Sequence, residues 1–302
     1  MLVIFKYSEF FLILIRLFQH TGFINKNIWV FWIKFLKMKV IGILGCGWLG
    51  IPLGLDLQKK KWQVKASRRS DEGIELLKKN RLEYYKIEIT SQNIKGNIDF
   101  FKELSCLIIS LPPNRKSQSN NYVQKIRLIL KKIKPLDIKK IIFLSSISVY
   151  GTIAGVYDET ITPRPERHSA KALLSCEQEV LDYAPSSIII RLGGLIGYDR
   201  NPIFQLQGKL ITNPEGVINF ITQRDAIGGI EAILKLPIEK GRIFNLVSPH
   251  HPKRKEYYEF VAKKYVLPAP KFNEDKFVHR VINSNAILRE TTFEFKDDNL
   301  LI

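Results

Sequence analysis

The sequence predicts an α/β protein: a doubly wound parallel sheet with helices on both faces and a small C-terminal lobe. Three observations carry that reading. Apolar runs of strand length (Val40–Leu44, residues 105–111, Lys140–Ser146) alternate with helical patterns over residues 72–80 and 121–132. Strands alternating with helices imply crossover connections and parallel pairing. The first run leads directly into Gly45, Cys46, Gly47, Trp48, Leu49 and Gly50, and an apolar helical stretch follows. Finally, 45% of the 302 residues are apolar, enough for an ample core.

The glycine segment organises the chain. Strand, glycine turn, helix and second strand form the setting in which G-x-G-x-x-G reads as a dinucleotide fingerprint. Gly45 permits the sharp turn, Gly47 lets backbone approach a pyrophosphate, and Gly50 lets the helix lie against the strand. The helix start then offers unpaired N–H groups and partial positive charge to phosphate. The sheet is therefore expected to be Rossmann-type, with a dinucleotide-binding domain over residues 38–200. A smaller substrate lobe, interleaved with the sheet, is expected over residues 201–302. Gly45, Gly47, Trp48, Leu49 and Gly50 are the candidate cofactor contacts. After the second strand come Ala66, Ser67, Arg68 and Arg69, with no acid before Asp71. A carboxylate there selects NAD, whereas arginine accommodates the extra phosphate of NADP. Ser67 and Arg68 are thus expected phosphate contacts, and NADP is the expected cofactor, with NAD as the alternative. The strand at 105–111 closes on Pro112 and Pro113, which places Leu111 and Pro112 at the lip of the crevice.

Charge and cysteine narrow the partners. The net charge is +18, but lysine is spread along the whole chain. There is no dense basic block with interleaved aromatics, so nucleic acid is not expected. Cys46, Cys106 and Cys176 match no metal or CxxC spacing, and their odd number argues against a disulfide framework. A reducing, cytoplasmic setting is expected. No metal is expected either: His250 and His251 have no nearby carboxylate or cysteine to complete a site. Residues 1–37 stand apart. Their two apolar runs, 10–15 and 28–33, fall short of the about 20 residues a spanning helix needs. They carry five basic residues and one acid, so +4 of the charge is theirs and +14 remains elsewhere. Met38 stands just before the first strand, and the preferred reading is an upstream extension outside the fold. An interfacial amphipathic anchor is the alternative, and it is the one route to a membrane.

Further along, Ser145, Ser146, Ile147, Ser148, Val149, Tyr150 and Gly151 follow one strand, and Asp158 and Glu159 come soon after. Arg191, Gly193 and Gly197 punctuate an apolar segment, and residues 219–226 read N-F-I-T-Q-R-D-A. Together these motifs resemble the extended short-chain dehydrogenase/reductases of the NAD-dependent epimerase/dehydratase group, from Met38 to about Ala262. The resemblance implies a nicotinamide cofactor and a small, sugar-like or nucleotide-linked substrate. It also implies a serine that polarises the substrate oxygen, a tyrosine that moves its proton, and a lysine four residues on. Ser146 matches the serine and Lys171 the lysine, but Arg167 stands where the tyrosine belongs. None of the 11 tyrosines has lysine at the fourth position. The chain looks like an atypical branch of the group, whose fingerprint reads G-C-G-W-L-G.

Hydride transfer at a carbinol still needs a proton carrier with a pKa near working pH. His168 is the nearest candidate, and Tyr150 or Tyr157 could approach from the lip of the site; the catalytic set is Ser146, Tyr150, Lys171 and His168. Ser145 and Lys171 join the cofactor contacts. The leading expectation is an NAD(P)-dependent oxidoreductase or epimerase-like enzyme, monomer or dimer. The alternative is an NAD(P)-binding regulator with little or no redox chemistry. An enzyme on an activated sugar or nucleotide that uses its cofactor differently is a third reading. In the last third, residues 203–211, 225–236 and 257–264 are expected helices. Residues 281–288 and 293–295 resemble the terminal segment of the same group, which implies a short helix and strand closing over the substrate lobe.

Overall fold

The computed structural model describes residues 40–302 other than 114–118, 137, 139, 185, 238, 239, 274–276 and 302. The expectations for residues 1–37 lie outside the described residues.

Eight strands form the main sheet: β1 (Val40–Leu44), β2 (Gln63–Arg68), β3 (Glu83–Ile89), β4 (Ile94–Gly96), β5 (Cys106–Ile109), β6 (Lys140–Ser146), β8 (Ile188–Leu192) and β12 (Arg242–Leu246). Their order is β12-β8-β6-β5-β1-β2-β3-β4. Every pairing is parallel except β3 with β4. The order reverses at β1, so the ends of β1 and β5 frame the crevice where open α/β sheets take ligands. All five residues of β1 and all of β5 are buried. That double-sided burial explains why both read as continuous apolar runs rather than alternating ones.

Helices cover the two faces. On one side lie α1 (Gly50–Lys59) and α6 (Gln223–Lys235), packing Leu53, Leu57, Ile230 and Ile233 against Ile43, Ile108 and Ile190. On the other lie α3 (Ser119–Ile133) and α4 (His168–Tyr183), which bury Ile126, Ile129, Cys176 and Val180 against Ile109, Phe143 and Ile189. Helix α2 (Asp71–Lys79) connects β2 to β3 and is capped by Ser70, whose hydroxyl accepts from the Gly73 N–H.

Three short parallel pairs complete the C-terminal part: β7 (Gly155–Tyr157) with β14 (Arg280–Ile282), β9 (Gly194–Ile196) with β11 (Phe220–Thr222), and β10 (Leu210–Thr212) with β13 (Lys271–Asn273). Here the expected helix over 203–211 is corrected. Helix α5 is only Ile203–Leu206. Gly208 turns left-handed at φ +67°, and Leu210 onward pairs as strand. The β-branched Ile211 and Thr212 suit that pairing better than a helix. Helix α7 (Arg254–Lys264) follows β12, and α8 (Asn285–Glu290) follows β14. No strand forms at 293–295. Phe293 and Phe295 meet edge to face at 4.8 Å and pack into the core beside α6. No helix among the described residues is long and apolar enough to cross a membrane.

Candidate dinucleotide-binding site

The loop between β1 and α1 is built by its glycines. Gly45 has φ +86°, and a Cβ there would meet Leu111 Cδ2 at 2.8 Å and the Ser110 carbonyl at 2.9 Å. A side chain is therefore excluded twice, by conformation and by space. At Gly50 a Cβ would press on Ile43 Cγ2 and Cys46 Sγ, both at 3.2 Å, so the helix lies tight against β1. Gly47 differs: within 4 Å its Cβ would meet only Arg68 Nη1 (3.1 Å) and the Gly45 carbonyl (3.8 Å). Its face is open apart from one guanidinium.

Helix α1 starts with Leu49 in the cap position, without a side-chain cap and without an acid in its first turn. In its first turn Ile51 donates to the Gly47 carbonyl at 2.9 Å and Pro52 carries no N–H, which leaves the Leu49 and Gly50 amides for an anion, and the helix dipole favours one there. Arg68 donates from Nη1 to the Cys46 carbonyl at 3.3 Å, which holds its guanidinium across the loop. The first acid after β2 in the chain, Asp71, is paired with Lys86 at 2.7 Å. The donor set fits a dinucleotide diphosphate, with the Arg68 guanidinium beside it.

Several expected contacts are revised. Ser67 is buried, and its hydroxyl accepts the Gly45 N–H at 3.1 Å. It braces the loop from behind instead of facing a phosphate. Trp48 turns its ring away: Nε1 donates to Asp199 Oδ1 at 2.7 Å, and the Arg200 guanidinium lies 5.0 Å from the ring centroid. Leu49 is buried in the core. Leu111 is half-buried against Gly45, and Pro112 is exposed beyond it.

The second group of candidates divides. Ser146 ends β6, half-buried, with its hydroxyl accepting from the Ser148 N–H at 3.2 Å. His168 is the exposed first residue of α4, and Lys171 is exposed in its first turn. Helix α4 packs against β6 and against the 3-10 turn Ile147–Tyr150. Arg167, in the position of the missing tyrosine, is exposed and precedes α4.

Ser145 and Tyr150 belong elsewhere. Ser145 donates to Glu177 Oε1 at 2.5 Å, and Glu177 Oε2 accepts from Arg191 Nη2 at 2.7 Å. Arg191 Nη1 donates to the Tyr150 hydroxyl at 2.9 Å. That hydroxyl lies 2.9 Å from both Asn245 Oδ1 and the Asp158 carbonyl, and so reaches β12. Tyr150 is 1% exposed, and Glu177 and Arg191 are 2% each. Burial pushes the Tyr150 phenol above its ordinary pKa, although Arg191 and the Asn245 bond pull the other way. The Ser145 and Tyr150 hydroxyls are thus both engaged inside this buried network, away from solvent. The signal that would have found this network is Arg191 itself, one charge in the apolar strand Ile188–Leu192. A buried guanidinium requires a buried partner.

The fold and the glycine loop define the class: an extended short-chain dehydrogenase/reductase fold of the NAD-dependent epimerase/dehydratase type. The UDP-glucuronic acid 4-epimerase of Bacillus cereus, solved with NAD, matches with a TM-score of 0.73 at 18% identity, over 87% of this chain and 96% of that one. The UDP-glucose 4-epimerase of Thermotoga maritima, solved with UDP-glucose, matches with a TM-score of 0.71 at 14% identity, over the same shares. A conserved protein of unknown function from Silicibacter pomeroyi matches with a TM-score of 0.71 at 17% identity, again over those shares. No protein-family model matches the chain. In sequence, the chain is 30% identical to protein YeeZ of Escherichia coli K12 over 271 residues, covering 88% of this chain and 98% of YeeZ. It belongs to the family of YeeZ.

Proposed function

We propose that the protein binds NADP, and NAD less tightly, at the β1–α1 loop. There it works as an NAD(P)-dependent oxidoreductase or epimerase-like enzyme on a small, sugar-like or nucleotide-linked substrate. One observation carries the cofactor reading: the uncapped, acid-free start of α1, with Arg68 laid across Gly47. The Leu49 and Gly50 amides hold the diphosphate where Gly47, lacking a side chain, lets it approach, and Arg68 meets the 2′-phosphate. The bound nicotinamide supplies hydride chemistry; the chain supplies position and protons. Ser146 holds the substrate oxygen from the carboxyl end of β6. Lys171 binds the nicotinamide ribose from the first turn of α4. His168, the exposed first residue of α4 and three residues before Lys171, replaces the missing tyrosine as proton carrier.

An anionic substrate suits the C-terminal side. Arg254 Nε is buried and has no hydrogen-bond partner. Arg280 donates to the Gly151 carbonyl just past the β6 turn. Burial, together with the positive charges of Arg254 and Arg167, holds its pKa below the usual arginine value. An anion there would relieve that crowding. Beyond β12 a cavity of about 100 Å³, lined by Ser248, His251, Asn283 and Asn285 among others, adds polar groups on the same side.

The burial of Tyr150 favours a second reading, a dinucleotide-binding regulator with little turnover. Titration of the full chain with NADPH and NADH, followed by a panel of carbonyl compounds and UDP-sugars, tests both. Preferential NADPH binding with turnover that His168→Ala abolishes is expected. Tight binding without turnover on any of them would turn the assignment to the regulator. No affinity for either coenzyme would remove the cofactor reading itself.

A further inference from the structure

Trp48 sits between the open Gly47 and the start of α1, where the loop must present its amides. It is held by more contacts than packing requires. Its indole N–H donates to Asp199 Oδ1 at 2.7 Å. Its ring lies under the Arg200 guanidinium at 5.0 Å, within cation–π range. Its carbonyl accepts from Gln223 Nε2 at 2.9 Å. A Cβ on Gly197 would meet its ring at 2.6 Å, so the turn at 197–200 lies flat against the indole.

The holders are themselves fixed. Residues 197 and 200 exchange two backbone hydrogen bonds, at 2.8 and 3.2 Å. Gln223 opens α6 directly after the cap Thr222, whose hydroxyl accepts from the Asp225 N–H at 3.2 Å. The geometric consequence follows from peptide planarity. In a trans peptide the C=O and the next N–H point in opposite directions. Fixing the Trp48 carbonyl on Gln223 therefore aims the Leu49 N–H the other way, among the leading amides of α1. Asp199 and Arg200 are exposed, so their contacts with the indole add little to the core.

We propose that Asp199, Arg200 and Gln223 are positioning residues for the dinucleotide loop and act through Trp48. The turn at 197–200, on the substrate side, thereby sets how tightly the cofactor is held. This rests on the dinucleotide reading above. The test uses the full chain, with NADPH as probe. Trp48→Phe keeps a ring but loses the donor, and Asp199→Leu loses the acceptor. Each is expected to weaken NADPH binding about 3- to 10-fold, the scale of one hydrogen bond. The double variant should be no weaker than the weaker single one, because both remove the same bond. Asp199→Asn keeps an acceptor oxygen and should bind nearly as the parent does. Melting temperatures should stay within about 2 °C, a shift too small for a merely structural role. Wild-type binding with unchanged affinity in both single variants, or strictly additive losses, would overturn the proposal. So would loss of binding that tracks loss of stability. Failure of the wild type itself to bind would sink the dinucleotide reading, and this inference with it.

Discussion

Two polar centres lie along the same carboxyl edge of the sheet, and they differ in what they leave over. Beyond β1 and β2 the chain leaves donors: the Leu49 and Gly50 amides at an uncapped helix start and the Arg68 guanidinium, beside the side-chain-free face of Gly47. Beyond β6, β8 and β12 it uses them up. Ser145, Glu177, Arg191, Tyr150 and Asn245 bond one another away from solvent. A polar side chain near a crevice is therefore not yet a ligand contact. What matters is whether the protein has already spent its hydrogen bonds.

The contrast can be broken from either side. The largest effect is expected at Glu177→Leu, which strands Arg191 with its charge buried. A cost of about 3–5 kcal/mol should lower the melting temperature by about 10 °C, read by calorimetry. NADPH affinity in the folded fraction should hardly change. Gly47→Val inverts that outcome. Its Cβ would meet the flexible tip of Arg68 and, at an ordinary contact distance, the Gly45 carbonyl, so the fold should survive, but the backbone can no longer approach a diphosphate. NADPH affinity should fall by about 100-fold, equal to about 2.7 kcal/mol, with little change in melting. Tyr150→Phe comes next. It leaves Arg191 and Asn245 each short of a partner and should cost about 1–3 kcal/mol. Any turnover found should persist in the folded variant; its loss would return Tyr150 to the catalytic set. Arg68→Leu should weaken NADPH about tenfold and leave NADH nearly unaffected, by fluorescence titration, because the interaction removed is with the 2′-phosphate. The smallest effect concerns the cysteines. Burial pushes the thiols of Cys46 and Cys106 up to about 12 and raises Cys176 as well. Buried thiols held in the protonated form are poor nucleophiles. A thiol reagent should label none of the three before unfolding and all three after it.

Much of the open centre was legible in sequence, because it is local. Within six residues, Gly45, Gly47 and Gly50 encode a left-handed turn, an open face and a close helix. Lys140–Ser146 reads as strand from its apolar run alone, and the structure places it over the same residues. The closed centre was not legible, because its partners come from α4, β8 and β12, far apart in the chain. Ser145 and Tyr150 carry nothing locally that says they are spoken for. The short strand at Leu210–Thr212 was missed for a related reason. Its partner Lys271–Asn273 lies some 60 residues on, and only pairing makes it a strand.

The placement of β12 bears on how the protein is made. It pairs with β8, next to β6, so residues beyond 240 finish a sheet begun at residue 40. While a ribosome is still reading the last quarter, β8 has a bare edge and Arg191 waits for the Tyr150–Asn245 bridge to close. Nascent chains are exposed for that interval to pairing with the wrong strand. Conditions that slow translation there should raise the aggregated fraction before they touch the finished protein.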